Sequence, residues 1–247
     1  MLETIDEQGV RELRLARPPV NALDTALIES LADAVQSAPA AGARAIVLSG
    51  QPGIFSAGLD VPALLRIDRA GMRGLFEALG RAQEVIARSP VPVIAAITGH
   101  APAGGTVLVL HCDYRVMAEG PFTLGLNEVA VGLTPGALLH HAYARLVGEG
   151  RAGVLLTRGA MLDPQYALAC GLVDEICAPA DVVPRAHAYA QQLLALPSAA
   201  MRATRDTARA ALIALFDEDD GTFADSATEL WFSAETQVRL KALFAKK

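Results

Sequence analysis

The sequence predicts an α/β fold with a mostly parallel sheet, followed by a helical C-terminal segment. Short apolar runs that are typical of buried strands alternate with segments of helical periodicity through the first two-thirds of the 247 residues. This alternation indicates parallel strands joined by crossover helices. Helical segments predominate from Gly136 onward, and Pro197 marks where an all-helical part begins. We therefore divide the chain into a core, residues 1–196, and a C-terminal helical segment, residues 197–247.

The strands are predicted from short apolar or alternating runs that end at turn residues. The first ends at Pro18 and Pro19, which cannot continue a strand, and the second is closed by the turn cluster that begins at Ser49. In chain order the predicted strands are residues 13–15, 45–48, 93–97, 114–117 and 122–124.

The helices are predicted from apolar residues three and four positions apart. Asp24 or Thr25 can cap the first helix, and Ser89 with Pro90 ends the second, whose apolar positions run from Leu75 to Ile86. A short apolar helix, residues 106–111, follows a glycine-rich corner. The later predicted helices are residues 138–147, 150–157, 164–170, 182–196, 199–216 and 222–247.

Composition limits the classes of function. Of the residues, 52% are hydrophobic, and the net charge is −6. This negative charge argues against sequence-independent binding of nucleic acid. No uncharged apolar stretch approaches the roughly 18–20 residues that a membrane-spanning helix needs, and the acidic residues 1–7 lack the features of a secretory leader. Three cysteines cannot all pair, so we expect a reduced, cytoplasmic protein. The apolar excess then predicts a large core, a subunit interface or an apolar pocket.

Two glycine-bearing corners are candidates for a ligand site. Residues 99–106 join a buried strand to a helix whose first amides lack intrahelical acceptors, which suits a phosphate, a carboxylate or an oxygen that becomes negative during a reaction. Residues 55–60 follow the strand 45–48 and are expected at the same edge of the sheet. Each corner taken alone is more often a tight turn, and Asp60 is most simply a helix N-cap.

Glu128 is the candidate acid–base group. It is the only ionisable residue between Glu119 and His140, and apolar surroundings raise the pKa of a carboxyl group toward neutrality. Such a residue taken alone is more often a solvated loop residue. The histidines and cysteines show no metal-ligand spacing, so no metal site is expected, and no nucleophile elbow or phosphate-binding loop is present.

Taken together, the motifs resemble the enoyl-CoA hydratase/isomerase (crotonase) family. They occur in the family's order from about residue 10 to 178: Arg-Pro-Pro-Val-Asn-Ala-Leu at 17–23, Phe-Ser-Ala-Gly-Leu-Asp at 55–60, Pro-Ala-Gly-Gly at 102–105, Cys-Asp-Tyr-Arg at 112–115, the stretch 125–135, and Ala-Cys-Gly-Leu-Val-Asp-Glu at 169–175. The resemblance implies a crotonase-like spiral of ββα repeats with a C-terminal helical trimerisation segment. It also implies a homotrimer or a dimer of trimers.

The resemblance further implies an acyl-CoA thioester as substrate, with no separate cofactor. The thioester oxygen would be held by the backbone amides of Ala57, or its immediate neighbours, and Gly104, with Glu128 as the catalytic carboxylate. The residues expected to line the substrate site are Ser56, Gly58, Leu59, Asp60, Val107, Asn127 and Leu133. The CoA phosphates are expected near Arg66 or the C-terminal lysines, and the acyl chain near residues 64–76 and 133–143.

The choice of reaction depends on the number of glutamates. Hydratases of this family carry two, and by position the first falls on Val107 and the second on Glu128. A double-bond shift needs one base, which takes a proton from C2 and returns it to C4. We therefore expect a Δ3,Δ2-enoyl-CoA isomerase of the mitochondrial type, acting in β-oxidation. The alternatives are an enoyl-CoA hydratase or other crotonase-type enzyme, and a non-catalytic acyl-CoA-binding subunit.

The C-terminal helices are expected to form the subunit interface. Their apolar residues would then be covered by a neighbouring copy of the chain rather than by the core of their own subunit. The side chains expected at that interface are Leu230, Trp231, Phe232, Leu240, Leu243 and Phe244.

Overall fold

A computed structural model describes residues 1–218 and 221–244. Within them the strands are β1 (Leu2–Glu7), β2 (Val10–Leu15), β3 (Ala45–Ser49), β4 (Gly53–Ile54), β5 (Val93–Ile97), β6 (Gly99–Pro102), β7 (Tyr114–Ala118), β8 (Leu124–Gly125) and β9 (Glu175–Cys177). The α-helices of the core are α1 (Thr25–Ser37), α2 (Val61–Leu64), α3 (Arg69–Arg88), α4 (Gly104–Val109), α5 (Gly136–Val147), α6 (Glu149–Thr157), α7 (Pro164–Cys170) and α8 (Val182–Leu194). The C-terminal helices are α9 (Ser198–Asp217), α10 (Thr222–Trp231) and α11 (Ala234–Phe244).

The strands form a six-stranded sheet and a three-stranded sheet. In the larger sheet the order is β1-β2-β3-β5-β7-β9, with every pair parallel except β1 and β2. The smaller sheet has the order β4-β6-β8 and is parallel. Three successive turns of the chain, β3 with β4, β5 with β6 and β7 with β8, therefore each add one strand to each sheet before a helix follows. This is the predicted spiral of ββα repeats.

The larger sheet is buried on both faces. Ala45 and Val47 pack with Ile94 and Ala96 against α8, while Ile46 and Leu48 face the main core under α1 and α3. A parallel strand that is buried on both faces has apolar residues at every position. Its sequence is therefore one continuous apolar run, which is why β3 and β5 could be predicted.

The predicted elements are present, with boundaries shifted by a few residues. Asp24, rather than Thr25, caps α1 by accepting a hydrogen bond from the Leu27 amide. The sequence did not predict the edge strand β1, the short strands β4, β6 and β9, or the break that divides the last predicted helix into α10 and α11. The strand β1 is polar and mostly exposed, so it lacks the apolar alternation on which strand prediction depends.

The C-terminal helices pack on their own subunit. Helix α9 contacts α3 and α5, and α10 lies along α3. Trp231 and Leu240, both predicted at a subunit interface, are each 1% exposed within this single chain, so that prediction is wrong for them. Leu243 is 56% exposed, whereas the Phe244 side chain and residues 245–247, including Lys246 and Lys247, lie outside the described residues.

Candidate active site

The loop that follows β4 is held by the segment around Asn21. The Ser56 hydroxyl donates to the Asn21 carbonyl (2.8 Å) and accepts from the Gly58 amide (3.1 Å). The Asn21 side-chain amide donates to the Phe55 carbonyl (3.0 Å). Ser56 is fully buried, and its hydroxyl holds the loop in place from inside the protein. The residue was predicted to bind substrate, whereas these bonds give it a structural role.

The two glycine-bearing corners lie against each other. A β-carbon built on Gly58 would lie 3.3 Å from the Gly104 nitrogen, and one built on Gly104 would lie 3.3 Å from the Gly58 Cα and 3.5 Å from the Leu59 nitrogen. Gly58 also has a φ of +81°, a conformation that side chains disfavour. The two corners therefore need glycine so that the Leu59 and Gly104 amides can come close together.

The backbone amide of Ala57 is already used inside the protein. It donates to the Val20 carbonyl at 2.9 Å, so it is not available to a substrate oxygen, and the prediction of Ala57 as a donor is corrected. The amides of Leu59 and Gly104 have no acceptor among residues 1–218 and 221–244. Leu59 therefore replaces Ala57 as the candidate donor of this loop.

The start of α4 is a strained turn held by β8. Ala103 has a φ of +46°, which for a non-glycine residue costs about 1–3 kcal/mol and persists only where its surroundings hold it. Its amide donates to the Gly125 carbonyl at 2.8 Å. The Gly125 amide in turn donates to the Thr106 hydroxyl (2.8 Å). The neighbouring strand thus sets the direction of the unbonded amide of Gly104, the first residue of α4.

The same strand connection places Glu128 near this corner. Glu128 follows Gly125 by three residues, a span of at most about 11 Å, and begins a 3-10 helix, Glu128–Val131. Val107 is buried in α4, and Asn127 and Leu133 flank the 3-10 helix and are half-buried. The bond between Ala103 and Gly125 and this short connection limit how far the Glu128 backbone can lie from the start of α4. That Glu128, Val107 and the two free amides form one substrate site stays a prediction.

The Glu128 carboxyl group has the environment expected of a proton carrier. Its Oε2 atom is enclosed and has no hydrogen-bond partner among the described residues. Burial raises the pKa of Glu128 to about 7, against a weaker lowering by its own backbone amide. No charged side chain contributes to this shift, so desolvation is the cause. Such a carboxyl group can both take and return a proton near neutral pH.

The comparisons with known proteins agree with this geometry. A family model described as enoyl-CoA hydratase/isomerase matches residues 6–228. The chain belongs to this family.

Both proteins named as hydratases and proteins named as isomerases are similar to the chain. A probable enoyl-CoA hydratase of Mycobacterium avium is 34% identical over 200 residues, covering 81% of this chain and 77% of the relative. The mouse mitochondrial enoyl-CoA delta isomerase 1 is 33% identical over 217 residues, covering 85% and 74%. The crystal structure of human mitochondrial delta3-delta2-enoyl-CoA isomerase superposes with a TM-score of 0.92 at 26% identity, covering 98% of this chain and 96% of that one.

Asp60 has a structural role in this member of the family. Its carboxylate accepts from the Ala63 amide as the N-cap of α2 (3.2 Å) and pairs with Arg17 (2.7 Å). Arg17 also contacts Asp24, the cap of α1. The N-cap interpretation of Asp60 is therefore confirmed, whereas its prediction as a substrate-binding residue has no support in these contacts.

Other ionisable groups near α4 are shielded. Burial raises the pKa of the Cys112 thiol to about 12 and, as the largest of several effects, lowers the pKa of His111 to about 3. At neutral pH the thiol therefore stays protonated and the imidazole stays neutral, so neither group titrates there. Within the described part of the chain, no three His, Cys, Asp or Glu side chains are grouped as they would be to hold a metal ion. Nor does any described helix have the length and apolar character needed to cross a membrane.

A cavity of about 710 Å³ lies beyond the 3-10 helix, between α3, α5 and α10. Its lining includes Thr134 and Pro135, directly after Leu133, and contains neither Glu128 nor Gly104. The larger apolar side chains of its wall are Phe76, Leu138, Leu139, Leu215, Phe216 and Phe223. Of the segments predicted to contact an acyl chain, residues 133–143 supply one wall, whereas residues 64–76 contribute only Phe76.

Proposed function

We propose that the protein is a Δ3,Δ2-enoyl-CoA isomerase that uses Glu128 as its only acid–base group. The observation that carries this proposal is the enclosed Glu128 Oε2 atom, which has no partner among the described residues and belongs to a carboxyl group whose pKa burial raises to about 7. The free amides of Leu59 and Gly104 support it, and by family position Val107 stands where a hydratase carries its second carboxylate. Adding water requires one group to position the water and another to handle the C2 proton. Moving a double bond requires a single carboxylate.

The reaction conserves all atoms and requires no cofactor. The thioester oxygen of a 3-enoyl-CoA accepts hydrogen bonds from the Leu59 and Gly104 amides. Ionised Glu128 removes a proton from C2, the C2–H electron pair is delocalised toward the thioester oxygen as a dienolate, and the two amides stabilise that negative charge. Glu128 then returns the proton to C4, which leaves the double bond between C2 and C3. Each amide of such an oxyanion hole contributes about 3–4 kcal/mol to the lowering of the barrier.

The apolar cavity next to the 3-10 helix suits the distal acyl chain. Aromatic and aliphatic side chains line it, and charged residues such as Glu77 and Arg81 lie at its rim. An alkyl chain gains about 0.8 kcal/mol for each CH₂ group that it buries. We place the CoA phosphates outside the pocket, where Arg66 is exposed at the end of α2. The homotrimer or dimer of trimers and the cytoplasmic location stay predictions; sedimentation of the purified protein tests the first.

A direct assay tests the isomerase. Purified protein is mixed with 3-enoyl-CoA substrates of several chain lengths, and the conjugated 2-enoyl thioester is followed by its absorbance. Glu128→Gln should lower kcat by at least about a hundredfold, since proton transfer by a positioned side chain contributes about 10²–10⁴, while acyl-CoA binding persists. Glu149→Gln is the matched control, because Glu149 is an exposed carboxylate paired with His140. Full activity of Glu128→Gln would exclude the mechanism.

Hydration is the second candidate, because mycobacterial relatives carry the name of probable hydratases. Incubation with a 2-enoyl-CoA distinguishes the two. Formation of 3-hydroxyacyl-CoA faster than isomerisation of a 3-enoyl-CoA would favour the hydratase. Binding of CoA esters without deuterium exchange at C2 would instead favour a non-catalytic subunit.

A further inference from the structure

The last helix of the chain contacts the segment that carries Glu128. Helix α11 packs against the 3-10 helix Glu128–Val131. Ser233 precedes α11 and accepts a hydrogen bond from the Thr236 amide (3.3 Å), which is the geometry of an N-cap. The Ser233 hydroxyl also donates to the Thr236 hydroxyl at 3.0 Å. These bonds place Thr236, which is fully buried, at the contact with the 3-10 helix.

The contact joins Thr236 to Gly132, the residue that ends the 3-10 helix. The Thr236 hydroxyl donates to the Gly132 carbonyl at 3.0 Å. A β-carbon on Gly132 would lie 2.7 Å from the Thr236 Oγ1, and Gly132 has a φ of +84°. Both the close approach and the backbone conformation therefore require glycine here.

The bond reaches the backbone of Glu128 through one peptide group. The Gly132 carbonyl and the Leu133 amide belong to the same planar unit. That Leu133 amide donates to the Glu128 carbonyl at 3.0 Å, and the Gly132 amide donates to the Val129 carbonyl at 3.2 Å. The planar peptide unit between Gly132 and Leu133 is thus bonded to Thr236 through its carbonyl and to the Glu128 carbonyl through its amide.

Glu128 depends on its backbone for its position. Its Oε2 has no partner within the described part of the chain, and Asn127, which precedes the 3-10 helix, makes no side-chain capping bond. A short 3-10 helix has weak internal hydrogen bonds. An external anchor is therefore needed to keep the carboxyl group at a fixed place relative to the substrate.

We propose that Thr236 is a positioning residue for Glu128, so that the C-terminal helix of the same subunit aligns the carboxylate for proton transfer. The inference rests on the proposed function. It gives α11 a part in the reaction, although Thr236 does not touch the reacting atoms and lies 104 residues from Gly132 in the sequence.

The test compares four variants by kcat and KM with a 3-enoyl-CoA. Thr236→Val keeps the side-chain shape and removes the hydroxyl, and Thr236→Ser keeps the hydroxyl. Thr228→Val is the matched control, because Thr228 is also a buried helical threonine, but its hydroxyl donates to Ala224 within α10 (2.7 Å). Glu128→Gln tests the proposed function itself.

Thr236→Val should lower kcat by roughly tenfold or more, since small displacements of a catalytic group have effects of this size, with KM within about twofold. Thr236→Ser should restore kcat, and Thr228→Val should leave it unchanged. If Thr236→Val keeps wild-type kcat while Glu128→Gln is inactive, the positioning role is wrong and the proposed function stands. Equal losses in Thr236→Val and Thr228→Val, or no restoration by serine, would also overturn the role. Activity in Glu128→Gln would overturn the proposed function.

A milder variant covers the case in which Thr236→Val does not fold. Ser233→Ala removes the hydroxyl that donates to Thr236 Oγ1 and leaves Thr236 in place. We expect a severalfold fall in kcat with an unchanged KM and an unchanged circular dichroism spectrum. An unchanged kcat in this folded variant would count against the proposal.

Discussion

Glu128 shows how one residue obtains its chemistry from its surroundings. A glutamate in water is ionised at neutral pH, whereas burial without a countercharge raises the pKa of Glu128 to about 7. The folded protein thus has a carboxyl group divided between its two forms near pH 7. A base of this strength is suited to remove a proton and then return it.

Activity should therefore depend on pH through Glu128. The reaction begins with the ionised carboxylate, so kcat/KM should fall tenfold for each pH unit below about 7 and level off above it. The measurement is kcat/KM for a 3-enoyl-CoA between pH 5 and 9. A rate that stays constant down to pH 5 would show that a group with an ordinary carboxyl pKa carries the proton.

The same shift predicts an effect on stability. The pKa of Glu128 is higher in the folded state than the 4.5 of the unfolded chain, so the folded state binds the proton more tightly, and folding is progressively disfavoured as the pH rises from about 4.5 to about 7. Glu128→Gln removes this penalty. We expect the variant to exceed the wild type in free energy of unfolding by about 3 kcal/mol at pH 8, and by little near pH 4.5. Urea unfolding at the two pH values checks this, and an equal difference at both would contradict it.

At the scale of elements, the position of α4 against the loop 55–60 decides where the two unbonded amides of Leu59 and Gly104 lie. The helix is too short to act through its dipole over any distance, so the direction of its first amide matters most. That direction follows from the bond between Ala103 and Gly125 and from the absence of side chains at Gly58 and Gly104.

Gly104→Ala should therefore impair the reaction. The new β-carbon would lie 2.9 Å from Leu23 Cδ1 and 3.5 Å from the Leu59 nitrogen, so it narrows the space between the two amides. We expect kcat to fall by about 10²–10³, the effect of losing one oxyanion donor. Gly74→Ala in α3 is the control, because no atom lies within 4 Å of its β-carbon. This control should keep full activity and gain about 0.5–1 kcal/mol in stability. Equal activities of the two variants would place the oxyanion site elsewhere.

At the scale of the whole molecule, a buried arginine fastens the C-terminal helices to the core. Arg209 of α9 is 3% exposed and donates to the Ala87, Ile86 and His111 carbonyls and to the Asp113 carboxylate. Asp113 also pairs with Arg205 and accepts from the Val93 amide. The group joins α9 to the end of α3 and to the end of α4.

Arg209→Ala should destabilise the protein by about 3–5 kcal/mol, because it leaves buried carbonyls and a carboxylate without a partner. Arg202→Ala, on the exposed side of the same helix, should change the free energy of unfolding by no more than about 0.5 kcal/mol. Urea unfolding followed by circular dichroism measures both. Similar values for the two variants would show that α9 is held mainly by apolar contacts.

The sequence by itself determined the elements and the residues whose signals are local. The runs of β3 and β5, the cap Asp24, the two glycine-bearing corners and the isolated Glu128 are all visible because a short stretch contains the whole pattern. Their assignment to the family followed from the order of those patterns.

Only the tertiary structure decided which atoms of these segments are used. The Ala57 amide is occupied because Val20 lies beside it, whereas the Leu59 amide has no acceptor among the described residues. Trp231 is covered by the core of its own chain, and Thr236 reaches Gly132 across 104 residues. Each of these contacts depends on which distant part of the chain packs against the residue. A local sequence pattern predicts that a side chain is buried, but it does not specify the surface that covers it.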